Sequence, residues 1–134
     1  MVGRAIPLAR RLADTFRGYF VLLDRERDTA RIVLGQGGKT DYVDLAGIRG
    51  GDIRDDLAAR DFTINAIAVD VKHLEADPIP LLDPLHGQED IANRTIRATS
   101  GRTFRDDPLR LLRAVRQAAT LGFRISPDTE SLIR

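Results

Sequence analysis

The stretch DPLRLLRAVRQAATLG, residues 107–122, carries the clearest structural signal in the chain. Aspartate suits the residue before a helix, proline the first helical position and glycine the position after the end. The pattern therefore predicts a helix from Pro108 to about Leu121. Two apolar rows follow it at helical spacing, Leu112, Val115 and Ala119 in one and Leu111 and Ala118 in the other, while the opposite, polar side carries Arg110, Arg113 and Gln117.

Further helix and strand signals flank this helix on both sides. On the C-terminal side, Ser126-Pro127-Asp128 opens another helix that has about two turns before Arg134. On the N-terminal side, the pattern predicts a short helix from Gly87 and then an extended segment, Thr95–Arg97. Still earlier it predicts a helix and two extended segments that pair with each other: Asp52–Ala59, then Ala66–Val71 with Ile79–Leu82.

The N-terminal part of the sequence predicts one helix followed by a small sheet. The helix covers Pro7–Phe16, with Gly18 as its stop. Three strands follow, a buried candidate and its hairpin partner and then a third: Tyr19–Leu23, Thr29–Leu34 and Asp41–Ala46. The glycine-rich stretch Gly35–Gly38 separates the last two. Because side chains alternate along a strand, Tyr42 and Asp44 are predicted to share one face of the sheet.

Composition limits the classes of protein to which the chain can belong. Hydrophobic residues make up 43% of its 134 residues, so a packed core is expected. Twenty-one basic residues against twenty acidic ones give a net charge of +1, which does not by itself indicate a nucleic-acid binder. Cysteine is absent, which excludes disulfides, thiolate metal sites and a cysteine nucleophile. No apolar run approaches the ~20 residues that a membrane span requires, and no signal-peptide core is visible, so a cytoplasmic location is expected.

Three segments combine charged residues at fixed spacing: RDFTINA at 60–66, DPLHG at 83–87 and DDPLRLLRA at 106–114. In this order they resemble the class II nucleotidyltransferases, which add CCA to tRNA or poly(A) to RNA. The resemblance extends over about residues 41–125. It implies an α+β fold, with a partial nucleotidyltransferase-like head of mixed or antiparallel sheet and helices in residues 1–98. Residues 99–134 would begin an all-helical neck that recognises the nucleotide base.

The first segment places two opposite charges side by side at Arg60 and Asp61. Such a pair could bind a ribose hydroxyl and a phosphate of one nucleotide, and Asn65, four residues on, would lie close to Asp61. The resemblance implies that the Arg-Asp pair holds the sugar and that the asparagine helps to hold the triphosphate. An exposed ion pair with an asparagine cap is the alternative. Relatives often carry a second arginine where this chain has Ala59.

The third segment contains a hydrogen-bond acceptor and a donor near the start of a helix. The carboxylate of Asp107 can accept from an amino group and the guanidinium of Arg110 can donate to ring nitrogens or carbonyls, which matches the Watson–Crick edge of cytosine or adenine. The resemblance implies that this pair selects the incoming base. The alternative is that Asp107 only caps the helix and Arg110 is solvated. Arg113, on the same side, is placed to reach phosphates.

Transfer of a nucleotide to RNA needs divalent metal, and the resemblance implies magnesium as the cofactor. In the family, carboxylates of an Asp-x-Asp segment hold the metal, and this sequence contains no Asp-x-Asp. Asp44 is the candidate for an accessory catalytic carboxylate and a possible metal ligand, or else an aspartate at a sheet edge that faces water. Asp106 is expected to support an arginine, and Asp83 and Gly87 to form a turn or hinge.

These observations predict part of a template-independent RNA nucleotidyltransferase. Its substrates would be CTP and ATP, and its acceptor an RNA, the 3′ end of tRNA. We expect the chain to be cut at its beginning and its end and to be inactive alone. Addition of CCA, CC, A or poly(A) all remain open. A non-catalytic nucleotide- or RNA-binding module derived from the same family is the alternative.

Overall fold

The computed structural model describes residues 4–36 and 39–133. Its helices and antiparallel strands confirm the predicted α+β class. The chain divides into two compact units, Met1–Ile48 and Arg49–Arg134, which are called unit 1 and unit 2 below. The predicted division into head and neck at residues 98 and 99 is a different one and stays a prediction. Within the described residues, the helices are too short and too polar to cross a membrane.

Unit 1 is a helix packed on one face of a three-stranded sheet. Its elements are α1 (Ala5–Thr15), β1 (Tyr19–Asp24), β2 (Thr29–Gln36) and β3 (Lys39–Ala46). The strands lie in the order β1-β2-β3 and both pairs are antiparallel. Ala9 and Ala13 of α1 are buried against Ala30 and Ile32 of β2. Small residues on α1 let the helix lie close to the sheet, and larger partly buried side chains, among them Phe20, pack around them.

The end of α1 differs from the prediction. The left-handed residue is Arg17, with φ of 53°, and the N–H of Gly18 donates to the carbonyl oxygen of Ala13 at 2.8 Å. A Cβ at position 18 would lie 2.7 Å from Leu34 Cδ2 and 2.8 Å from the carbonyl oxygen of Val33. Gly18 therefore takes part in the helix stop through its N–H, while the left-handed residue is Arg17 and the glycine itself is required by the close approach of β2.

The predicted hairpin and the third strand are confirmed, but the first strand is not buried. Tyr19 is 76% exposed, and Leu23 is 46% exposed. Gly35 and Gln36, predicted as part of a break, belong to β2, while Gly37 and Gly38 lie outside the described residues. An apolar run predicted a strand correctly, but it could not show whether anything covers that strand.

Unit 2 is built from short helices around a small core. Its α-helices are α2 (Ile53–Ala58), α3 (Gly87–Ala92), α4 (Thr103–Asp106), α5 (Leu109–Leu121) and α6 (Pro127–Ile133). Two-residue strands β4 (Thr95–Ile96) and β5 (Arg124–Ile125) pair in parallel, and 3-10 turns occupy Thr63–Asn65 and Val71–His73. The core cluster contains Phe62, Ile96, Phe104 and Ala114. Burial of these groups fixes α5 beside the segment that contains Phe62.

The principal predicted helix is confirmed as α5, and Gly122, with φ of 67°, is its C-terminal cap. Of its two apolar rows, the one with Leu111 and Ala118 packs on the core, whereas Leu112 is 71% and Val115 60% exposed. The short helices α2, α3 and α6 are also confirmed, but α4 and β5 were not predicted. The predicted pairing of Ala66–Val71 with Ile79–Leu82 reduces to a single bridge, Ala68 to Leu82.

Candidate functional site

Asp61 is the most heavily bonded carboxylate in the candidate site of unit 2. Its side chain is 7% exposed. Oδ1 accepts from the Phe62 N–H at 2.9 Å and from Asn65 Nδ2 at 3.0 Å. Oδ2 accepts from Nε of Arg113 at 2.6 Å, and Nη2 of the same guanidinium lies 2.6 Å from it. Three hydrogen bonds and the charge of Arg113 thus stabilise the ionised carboxylate of Asp61 within the protein.

The pKa of Asp61 follows from these contacts. Burial raises the pKa, because it penalises the charged form. Hydrogen bonds from Asn65 and Arg113, the positive charge of Arg113 and the Phe62 N–H together lower it further than burial raises it. The pKa of Asp61 therefore lies below its ordinary value, and Arg113 is held beside a permanent negative charge at neutral pH.

Asn65 lies next to Asp61, as predicted, although on a 3-10 turn and not an α-helical one. Its Nδ2 donates a second hydrogen bond, to Oε1 of Gln117 on α5 at 3.2 Å. Arg113 and Gln117 are successive residues on one face of α5, and they contact Asp61 and Asn65 respectively. The sequence placed Gln117 on the polar side of the helix, but no local signal indicated its partner, which is 52 residues away.

Arg60 forms an ion pair with Asp56, whereas the neighbouring Asp61 pairs with Arg113. Its Nη2 lies 2.9 Å and its Nε 3.2 Å from Oδ2 of Asp56, a carboxylate that is 8% exposed. Asp56 also accepts from the N–H of Arg49 at 3.1 Å. Arg60 itself is 45% exposed. Since Asp61 is buried and paired with Arg113, the alternative of an exposed Arg60–Asp61 ion pair does not hold.

Arg110 lies against the backbone that leads into Asp61. Nη2 donates to the carbonyl oxygen of Ala59 at 2.9 Å, and Nη1 makes longer contacts of 3.5 Å to Arg60 and 3.4 Å to Thr103 carbonyl oxygens. The side chain is half-buried, so the alternative of a fully solvated Arg110 is wrong. These contacts bring the start of α5 and the Arg60–Asp61 segment together.

Asp107 is half-buried and lies two residues before Leu109, the first residue of α5. Its Oδ1 accepts from the N–H of Leu109 at 3.0 Å, so the capping contact of the alternative interpretation is present. This contact uses one oxygen only. Among the contacts made by the described residues, Oδ2 is left to accept from a further donor. Capping and recognition of an amino group are thus compatible at this residue.

Asp44 lies in unit 1, on the edge strand β3. Its Oδ1 and Oδ2 accept from Nε and Nη2 of Arg31 at 2.6 and 2.8 Å, and the Arg31 guanidinium lies 5.1 Å from the centre of the Tyr42 ring. The hydrogen bond from Arg31 lowers the pKa of Asp44 more than partial desolvation raises it. Tyr42 and Asp44 share a face as predicted. The accessory catalytic role of Asp44 stays a prediction.

The remaining predicted residues have local roles. Asp83 accepts from the N–H groups of Gly87 at 2.7 Å and Gln88 at 2.9 Å, which confirms the predicted turn. A Cβ on Gly87 would lie 2.2 Å from the carbonyl oxygen of Thr63, so α3 starts in direct contact with the 3-10 turn. Asp106 Oδ1 lies 3.7 Å from Nε of Arg102, both side chains are exposed, and the expected role of Asp106 in supporting an arginine stays a prediction.

A third buried carboxylate, missed by the sequence analysis, secures the same 3-10 turn. Asp90 of α3 is 7% exposed. It accepts from the Thr63 hydroxyl at 2.7 Å and from Arg97 Nε at 3.1 Å. The turn that carries Asn65 is therefore fixed from the α3 side as well as from the α5 side.

The exposed groups of the site can bind an anion and can form hydrogen bonds with a polar ligand. Arg60 and Arg113 are each 45% exposed while they rest on buried carboxylates, so each holds N–H groups in a fixed orientation that suits an anion. Asp107, just before α5, and Arg110, in its first turn, offer an acceptor and a donor. No group of three or more metal-ligating side chains occurs among residues 4–36 and 39–133. The described residues therefore do not fit a magnesium centre.

Comparison with known proteins agrees with this geometry. The CC-adding tRNA nucleotidyltransferase of Synechocystis sp. is 41% identical over 97% of this chain, which spans 29% of that relative. The enzyme of the same name from Geobacter sulfurreducens is 48% identical over 94% of the chain, which spans 28% of it. A solved tRNA nucleotidyltransferase complexed with a primer tRNA and an incoming ATP analog superimposes with a TM-score of 0.74 at 35% identity, covering 98% of this chain and 38% of that one.

A family model described as the Poly A polymerase head domain matches residues 12–97, which is more than half of the chain. The match includes the Arg60–Asn65 segment and the turn at Asp83–Gly87. The chain thus belongs to the family of the poly(A) polymerase head domain.

Proposed function

We propose that the chain forms part of a template-independent RNA nucleotidyltransferase that transfers CMP or AMP from CTP or ATP to the 3′ end of tRNA. Support comes from the CC-adding relatives and from the solved relative that holds a primer tRNA and an ATP analog. The chain spans less than a third of either curated relative, so the activity concerns the whole protein. Residues 1–98 would supply a partial head and residues 99–134 the start of the neck.

The contact of Arg110 with the carbonyl oxygens of Ala59 and Arg60 is the observation that carries this proposal. This contact supports the proposal because the guanidinium that would read the base lies beside the segment that would hold the sugar and phosphates. Asp107, three residues before Arg110, supplies the acceptor for the exocyclic amino group that cytosine and adenine share. Guanine and uracil present a carbonyl at that position, so an ionised carboxylate there disfavours them.

Arg60 and Arg113 are the proposed contacts for phosphate and sugar. Both guanidinia are half-exposed and both are oriented by a buried aspartate. Asp61 would contribute by fixing Arg113, since both of its oxygens accept hydrogen bonds within the protein. Asn65 shares the same network. A triphosphate bound beside these side chains would gain charge-assisted hydrogen bonds to groups that need no reorganisation.

Magnesium is the cofactor expected for the whole enzyme. The described residues offer no cluster of ligands, and both oxygens of Asp44 are bound by Arg31. These two observations favour the second candidate function, a nucleotide-binding module without catalysis. Transfer of radiolabelled CMP from CTP to a tRNA lacking its CCA end, measured with the whole protein that contains this chain, separates the candidates. Labelled tRNA supports the enzyme, and selective nucleotide binding by the whole protein without labelled tRNA supports the module.

Calorimetric titration of the 134-residue chain with CTP, ATP, GTP and UTP, with and without magnesium, tests the proposed selectivity. We expect binding of CTP and ATP in preference to GTP and UTP. Arg110→Ala should reduce that preference by roughly 10- to 100-fold, because a good side-chain-to-base pair contributes about 1–3 kcal/mol of discrimination. Arg116→Ala, at an exposed position of the same helix, is the control. Equal affinity for all four nucleotides would contradict the proposal.

A further inference from the structure

Four side chains of unit 2 form a closed polar arrangement, called the clasp here. Asp61 and Asn65 come from the segment around the 3-10 turn, and Arg113 and Gln117 come from α5. In each pair the residues are four positions apart, so the two elements are tied at two points one helical turn apart. Two attachment points restrict both the sliding of α5 and its rotation about its own axis.

Asn65 is the link between the two halves of the clasp. A side-chain amide nitrogen carries two hydrogens, and in Asn65 one is donated to Asp61 Oδ1 at 3.0 Å and the other to Gln117 Oε1 at 3.2 Å. Both donors are therefore used within the protein. The oxygen of the amide, an acceptor, offers nothing to a phosphate. Asn65 in this state orients its neighbours and does not donate to a triphosphate.

We propose that Gln117 is a positioning residue for nucleotide selection, acting through Asn65 and the rotation of α5. This inference rests on the proposed function, and it adds a residue that the family resemblance did not indicate. Arg110 lies seven positions before Gln117, about two turns away on the same face of the helix. Loss of the Gln117 contact would leave Asn65 bound to Asp61 alone and would remove one of the two clasp attachments of α5, so the guanidinium of Arg110 would be less well oriented.

Two substitutions at one position test the role of the hydrogen-bond acceptor. Gln117→Leu keeps the approximate size of the side chain and removes the acceptor, whereas Gln117→Glu keeps an oxygen that Asn65 can donate to. We expect Gln117→Leu to raise the Kd for CTP roughly three- to tenfold and to lower the preference for CTP over GTP, because one neutral hydrogen bond is lost. Gln117→Glu should retain both. Arg116→Leu, an exposed neighbour on α5, controls for the apolar substitution.

An NMR measurement without nucleotide gives an independent readout. In the clasp both side-chain amide protons of Asn65 are hydrogen-bonded, so Gln117→Leu should shift one of them towards the value of a free amide while Gln117→Glu should not. Circular dichroism of each variant verifies that unit 2 remains folded. An unchanged Asn65 amide signal in Gln117→Leu would overturn the clasp itself.

The nucleotide titrations separate failure of this inference from failure of the proposed function. If the unmodified chain prefers CTP and ATP but Gln117→Leu keeps the same Kd and preference, the proposed function stands and Gln117 has no positioning role. Tighter CTP binding by Gln117→Leu would also overturn the inference, since it would mean that a released Asn65 donates to phosphate. Equal binding of all four nucleotides by the unmodified chain would remove both proposals.

Discussion

Both units contain arginine–aspartate pairs, but the two environments differ. In unit 1 both partners of the Arg31–Asp44 pair are exposed, at 38% and 49%. In unit 2 three aspartates that are only 7–8% exposed pair with arginines that are 44–45% exposed: Asp56 with Arg60, Asp61 with Arg113 and Asp90 with Arg97. Water can replace the partner of an exposed ion, but not that of a buried one. In unit 2 the buried carboxylates therefore fix guanidinia that remain accessible to a ligand.

The largest expected effect separates these two kinds of pair. Asp61→Leu removes the acceptor of the Phe62 N–H and of Asn65 as well as the partner of Arg113, and each buried donor left unsatisfied costs about 1–3 kcal/mol, so the free energy of unfolding should fall by about 3–5 kcal/mol. Asp44→Leu, the matched change in unit 1, should cost no more than about 1 kcal/mol, since solvent compensates the exposed Arg31. Urea denaturation of both variants measures the difference. Losses of equal size would remove the distinction between the units.

The second-largest effect on stability is expected at Gly87, where the backbone of α3 contacts the 3-10 turn. Gly87→Ala places a Cβ 2.2 Å from the Thr63 carbonyl oxygen, so α3 and the 3-10 turn must separate and the Thr63–Asp90 hydrogen bond is strained. We expect a loss of about 2–4 kcal/mol in the free energy of unfolding. Gly101→Ala, whose Cβ would meet its nearest neighbour only at 4.0 Å, is the control and should change stability by less than about 0.5 kcal/mol. A mild Gly87→Ala phenotype would show that α3 can shift freely.

The smallest expected effect is a dependence on pH. The pKa of Asp61 is lowered in the folded state, so its contribution is present above the unfolded pKa of about 3.9 and is lost as the pH falls through the folded value. Urea midpoints of the unmodified chain and of Asp61→Asn, measured between about pH 6 and pH 3, should therefore converge on acidification. A constant gap across this range would mean that the Asp61 pKa is not lowered.

The sequence predicted what local signals encode. Helix α5 was predicted because its cap residues and its periodicity lie within one short stretch, and β3 because its side chains alternate. The exposure of Tyr19–Leu23 was not predicted, because an apolar run specifies a strand but not what covers it. The exposure of Leu112 and Val115 on α5 was not predicted for the same reason.

The sequence did not predict the long-range side-chain contacts within the candidate site. The spacing placed Asn65 beside Asp61, yet nothing indicated that Arg113 binds Asp61 or that Gln117 binds Asn65. These two contacts join residues 52 positions apart, where no spacing rule applies. Asp90 was missed because nothing in its sequence neighbourhood distinguishes a buried aspartate from the solvated ones around it. The sequence thus identified the members of the site, and the tertiary structure identified their connections.

The contact of Arg110 with Ala59 has a thermodynamic consequence for helix α2. Ala59 is the C-terminal cap of α2, where backbone carbonyls lack helical partners and carry partial negative charge. A base that draws the guanidinium away leaves that helix terminus with only the longer, 3.5 Å contact from Nη1 of Arg49. Ligand occupancy and fraying of α2 are then linked equilibria, so hydrogen exchange in Ile53–Ala58 would report on binding even though no residue of α2 touches the base.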